Sequence, residues 1–145
     1  MGRGERYYKH KFNWELVKIF YMKILSFILN LPYTIMGLIM SLISIPKSMR
    51  FNKKLCAIII KTGKFWWAWG YLKGSRATVF GNVVLLSKRV EDRDLEHELI
   101  HVEQYDQEPL IHPMLYFIER IKNGYRNNTY EVEAYKKAGN SYYEN

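Results

Sequence analysis

The sequence predicts an α+β protein in which an N-terminal membrane helix precedes a small domain with a short antiparallel sheet and a metal-binding helix. Three observations predict it. Ile24 to Pro46 contains no charged residue and is flanked by Lys23 and Lys47. Behind it, short apolar runs rich in β-branched residues are separated by glycine-containing turns. Then comes His97-Glu98-Leu99-Ile100-His101, an HExxH pentapeptide, with two more helical stretches after it. The chain divides into a basic, partly amphipathic segment 1–23, a membrane-embedded helix 24–46, a metal-binding domain 47–138 and a fraying polar tail 139–145.

In the first segment Trp14, Val17 and Tyr21 keep helical spacing while Lys18 and Lys23 are polar, a pattern suited to a membrane interface. The run 24–46 meets the roughly 20-residue requirement for crossing a bilayer. Asn30 and Pro32 interrupt it, although membrane helices tolerate proline. The competing readings are a helical hairpin folded at Asn30-Leu31-Pro32 that dips in without crossing, and a buried core helix. The apolar run starts late and is long, and Ser44-Ile45-Pro46 is a poor cleavage site, which argues against a cleaved signal peptide. Six basic residues precede the run and six follow it closely, so charge asymmetry sets no orientation. The net charge of +8 suits an anionic partner. The apolar run points to an anionic membrane surface, and no nucleic-acid-binding motif is present. A single cysteine, Cys56, excludes an internal disulfide.

Strands are expected in Leu55 to Ile60, in Phe65 to Trp69, and in Ala77 to Phe80 and Val83 to Leu86 around a two-residue Gly81-Asn82 turn. Three or four antiparallel strands follow. Trp66, Trp67 and Trp69 suit either a membrane interface or ordinary core.

On an α-helix, residues four apart stand one turn above each other. His97 and His101 can therefore bind one metal ion, and Glu98 is placed to act as a base without being a ligand. Asp92 and Asp94 suit the start of that helix. A catalytic zinc needs a third protein ligand and an open position. Glu131 and Glu133 are the candidates, on a second helix capped by Asn128 or Thr129. Glu131 is preferred because Ala134 would let the two helices approach closely. Against it, Asn128-x-x-Glu131 is also a capping box, which leaves Glu133 as the alternative. Gln104, one turn past His101, is a candidate hydrogen-bond partner for a ligand imidazole. Tyr125, Arg126, Tyr130 and Tyr135 are candidates to stabilise an oxyanion. Between the ligand helices, Pro109 to Asn123 reads as an apolar helix ended by Gly124.

These residues resemble the gluzincin class of zinc metallopeptidases, in which HExxH is completed by a Glu on a later helix. More closely, the chain is similar to small bacterial membrane-associated proteins of that type. The shared pieces here are Leu31-Pro32 with Gly37-Leu38, Phe80 to Leu85, His97 to Gln104, and Tyr125 to Ala134; Thr129 stands where that pattern has Pro. The resemblance implies a minimal zincin-like domain, Zn²⁺ held by His97, His101 and Glu131, and Glu98 as base. It implies a peptide or protein substrate paired with a strand near the active-site helix, and a place in a bacterial inner membrane, single-pass. The function expected is a membrane-anchored metallopeptidase. The alternative is a non-catalytic membrane protein with a structural zinc site closed by a fourth ligand such as His112 or Glu133.

Overall fold

A computed structural model describes residues 14–63, 65, 76–88, 90 and 92–139. The described residues form an α+β fold. Its elements are α1 (Trp14–Leu29), α2 (Leu31–Ile43), β1 (Ser48–Asn52), β2 (Ala57–Lys61), β3 (Ala77–Phe80), β4 (Val83–Leu86), α3 (Asp92–Gln107), α4 (His112–Asn123) and α5 (Thr129–Lys137). The strand expected over 65–69, with its tryptophans, and the tail 139–145 lie outside the described residues, apart from Phe65 and Gly139.

The sheet has the order β1-β2-β4-β3. β1 with β2 and β3 with β4 are antiparallel, but β2 and β4 run parallel, so the expected all-antiparallel sheet is corrected to a mixed one. Burial explains the order. Val83 to Leu86 is apolar at every position and buried at every position, the pattern of a strand covered on both faces. It therefore takes the interior place beside β2. The Gly81-Asn82 turn then swings β3 back antiparallel to it, with Gly81 at φ +57°. β1 was not expected: Ser48-Met49-Arg50-Phe51-Asn52 is mostly exposed and carries little hydrophobic alternation.

The sheet is the middle of three layers. Ala57, Ile59, Val84 and Leu86 join Leu55 and Ala77 in a core with Val102, Leu95 and Leu99 of α3. On the opposite face Ile60, Val83 and Leu85 pack with Met40 of α2. Gly37 makes that second contact close: a Cβ there would stand 2.8 Å from Val83 Cβ and 2.9 Å from Phe80 Cβ.

The single helix expected over 24–46 is two helices. α1 begins earlier, at Trp14, and the pair bends by 59° at Asn30. Pro32 lies in the first turn of α2 and has no N–H to continue the helical ladder. The break is held from outside. Buried Asn30 donates from Nδ2 to Tyr105 O (3.0 Å) and accepts at Oδ1 from Leu110 N (3.2 Å). No single described helix is long and apolar enough to cross a membrane; the bent pair meets that requirement together, by length and composition only.

The buried positions of the two helices are small and polar, while most of their outward positions are apolar. Ser26, Asn30, Thr34, Gly37, Ser41 and Ser44 recur at three- and four-residue steps and are buried. Leu16, Phe20, Leu25, Ile28, Ile39 and Leu42 are among the large apolar residues left exposed.

Candidate metal centre

Two helices build the site. α3 begins at Asp92, with Asp92 and Asp94 both in its first turn, where carboxylates suit the helix dipole. One face carries Leu95, Leu99 and Val102 into the sheet core. His97 and His101 are buried one turn apart. α5 starts at Asn128, whose backbone is extended and whose Oδ1 accepts from Tyr130 N at 3.0 Å. The capping box expected as an alternative does not form: Asn128 N donates to Tyr125 O, and Glu131 turns inward. Ala134 is fully buried, consistent with a small residue permitting close approach of α5.

His97, His101 and Glu131 each present one donor atom within 4.8 Å of the others, all three residues buried. The two imidazoles face each other at 3.1 Å between Nε2 atoms. Glu131 Oε2 lies 3.2 Å from His97 Nε2, and Oε1 lies 3.5 Å from His101 Nε2. Glu131 Oε2 is buried with no hydrogen bond among the described residues. Two imidazole nitrogens and a carboxylate converging out of water form a donor set that could hold a metal ion. The group fits a metal ion on that ground, and it is the one such cluster among the described residues.

The electrostatics agree. Burial opposes charge on His101, but its hydrogen bond to Glu131 and the Glu131 charge outweigh burial and raise its pKa to about 9. Burial likewise opposes charge on Glu131, and the facing His101 and His97 imidazoles, with the Tyr116 hydroxyl, hold its carboxyl well below the carboxylate range. Glu98 also lines the cavity. Burial pushes its pKa up, against the opposing charges of His101 and His97.

Around the ligands, Gln104 Oε1 accepts from His101 Nδ1 at 2.7 Å. Gln104 Nε2 is anchored in turn on Tyr130 O (3.0 Å) and Glu133 Oε2 (2.8 Å). The Tyr135 ring packs against His97 at 4.3 Å between centroids. His97 Nδ1 makes no hydrogen bond among the described residues. Tyr116, which the sequence reading passed over, donates from its hydroxyl to Glu131 Oε1 at 2.7 Å. The available signal was its place one turn after His112, a polar pair within an apolar helix.

The remaining candidates separate clearly. Glu133 lies outside the cluster and pairs with Lys137 at 2.7 Å. His112 is buried in the cavity wall and faces Glu108 at 3.4 Å. Tyr130 also donates to Glu108, at 2.7 Å, so its hydroxyl is directed away from the cluster. Tyr125 lines the cavity with Arg120, whose guanidinium lies 5.4 Å from the Tyr125 ring centre. Arg126 is exposed and does not line the cavity.

The cavity measures about 440 Å³. Its walls are Tyr33, Met36 and Met40 of α2, strand β3, and Pro113, Tyr116 and Phe117 of α4, with the three clustered residues and Glu98 also lining it. No family model matches this chain, and no curated protein or solved structure matches it either.

Proposed function

We propose that this chain is a membrane-associated, zinc-dependent hydrolase of gluzincin type, a peptidase with a minimal zincin-like domain. The observation that carries the reading is the convergence of His97, His101 and Glu131 beside Glu98 in one cavity. A His₂Glu donor set suits zinc, and zinc bound there would polarise a peptide carbonyl and acidify water.

The chain's own residues do the rest. Glu98 takes the proton given up by the attacking water and passes it to the leaving amine, as water oxygen joins the carbonyl carbon and the C–N bond breaks. The raised pKa of its carboxyl brings it nearer the working pH of a group that must both accept and release a proton. Gln104 takes the Nδ1 proton of His101 in a hydrogen bond, which turns the Nε2 lone pair into the cluster. Tyr116 fixes the Glu131 carboxylate. Tyr125 and Arg120 are the donors suited to the charge that develops on the carbonyl oxygen. A closed structural zinc site would need a fourth ligand. His112 and Glu133 are engaged with Glu108 and with Gln104 and Lys137, which favours the open, catalytic form.

Membrane association is supported by α1 and α2, whose polar residues face the protein and whose apolar residues face outward. Exposed Lys18, Lys47, Lys53, Lys54 and Lys61 suit anionic headgroups.

The test is zinc content by elemental mass spectrometry, paired with a peptide-library cleavage assay. About one zinc per chain is expected in wild type, Glu133→Ala and Glu98→Gln, and none in Glu131→Ala. Glu98→Gln should lower turnover by about 10²–10⁴-fold. A wild type that retains no metal after zinc loading, or a fully active Glu98→Gln, would sink the reading.

A further inference from the structure

The cavity and the exposed apolar surface share residues. Met36 of α2 and Phe117 of α4 line the cavity and are themselves exposed, at 43% and 54%. Each belongs to a longer outward apolar row: Ile35, Ile39 and Leu42 on α2, and Met114, Ile118 and Ile121 on α4. The two rows are tied together at one end. Tyr33 donates from its hydroxyl to Leu110 O at 2.7 Å, and Leu110 N donates to Asn30 at 3.2 Å, so the connector into α4 sits against the α1–α2 break. Two cavity-lining residues, Met36 and Phe117, are thus neighbours of exposed apolar rows on α2 and α4. Soluble surfaces rarely keep contiguous apolar patches above a few hundred Å². The occupant consistent with an outward apolar face on a chain of net charge +8 is an anionic bilayer. On α5, by contrast, the exposed positions include Lys136 and Lys137.

We propose that the cavity opens laterally into the bilayer between α2 and α4, and that its substrate is an apolar peptide segment that lies in the membrane. This rests on the hydrolase reading for the word substrate, and on the geometry alone for the direction of opening. Met36, Met40 and Phe117 form apolar walls for an incoming side chain. A water-soluble peptide has to leave water and cross that lipid-covered rim, whereas a membrane segment is already there. Burial of the segment on both sides of the rim favours its entry.

Two measurements separate the two ideas. The first needs no turnover. The full chain, with Cys56→Ser, carries one fluorophore on Met36→Cys, Phe117→Cys or Lys136→Cys and sits in phosphatidylcholine–phosphatidylglycerol vesicles with brominated acyl chains. Strong quenching at the first two positions and little at the third is expected. Equal weak quenching at all three overturns the lateral opening; if the chain also sediments as a dimer, the apolar face belongs to a second copy instead.

The second measurement uses the zinc-loaded chain and two peptides on the same lipid anchor. In one the apolar cleavable segment lies in the bilayer, and in the other a Gly/Ser spacer holds it in water. Shared anchoring equalises the local concentration, so any preference reports the route of entry. The embedded peptide should be cleaved about tenfold faster or more. Equal rates, or preference for the spaced peptide, overturn the substrate assignment. No cleavage of either, with quenching as expected, overturns the hydrolase reading and its substrate while the direction of opening stands.

Discussion

His101 is the residue at which charge, hydrogen bonding and the proposed metal site meet. Its pKa lies at about 9 against an ordinary 6.5, because Glu131 overcomes the cost of burial. The stabilisation that its proton brings to the metal-free chain is complete below about 6.5 and is lost as pH rises through about 9. A metal ion must displace that proton. Binding near pH 7 should therefore release close to one proton, and affinity should climb with pH and flatten near 9. Calorimetry in buffers of different ionisation enthalpy checks this; zinc binding with no proton release would contradict it. Gln104 acts through the same ring. Gln104→Ala removes the acceptor of the His101 Nδ1 proton and should weaken zinc binding by about 10–100-fold. Competition with a chelating dye measures the loss, and unchanged far-ultraviolet circular dichroism separates it from unfolding. That Glu131 and not Glu133 stands beside the two imidazoles agrees with an expectation that rested on Ala134. The role of Tyr116 was not, because nothing in the sequence says that α4 crosses over the cluster.

Among the elements, α2 serves both the sheet and the cavity. It covers one face of the sheet and supplies one wall of the cavity. Gly37 sets its distance from the β3–β4 hairpin. Gly37→Ala places a methyl within 3 Å of two Cβ atoms and should cost about 1–3 kcal/mol, read as a shift in the denaturation midpoint. If stability were unchanged, the close packing of α2 on the sheet would be wrong. The sequence signalled the break at Asn30-Leu31-Pro32 but not its use. Asn30 is held by backbone groups of Tyr105 and Leu110, about 75 and 80 positions away along the chain. The parallel pairing of β2 with β4 was also readable in part, since a strand apolar at every position belongs inside a sheet. The short turn at Gly81 drew attention to the antiparallel neighbour instead.

At the scale of the molecule, the candidate centre joins α3 to α5 across a buried cluster that could hold a metal ion, which we propose to be zinc. Zinc should therefore stabilise the whole fold and a chelator should lower its midpoint. At a free zinc concentration about 100 times the dissociation constant the gain is about 2.7 kcal/mol. Glu131→Ala should abolish the zinc response. A response that persists in that variant would place the ion elsewhere. The molecule is also inverted along α1 and α2, with hydroxyls and an amide inside and Leu42 and Trp14 more than two-thirds exposed. That polarity cannot be read from hydropathy, which counts apolar residues without saying which way they face.

The sequence by itself determined the elements whose cause is local. HExxH places two imidazoles on one helical face, Asn128 caps the helix that carries Glu131, Gly81-Asn82 turns a hairpin, and Gly124 ends α4. Periodicity, caps and turns act over a few residues, so a few residues reveal them. Tertiary structure alone decided the order of strands, the packing of α2 onto the sheet, and the choice of Glu131 over its capping role. It also set the apolar lips of the cavity. Each of these depends on which distant surfaces exclude water from one another, a matter of the whole fold and of no single stretch of chain.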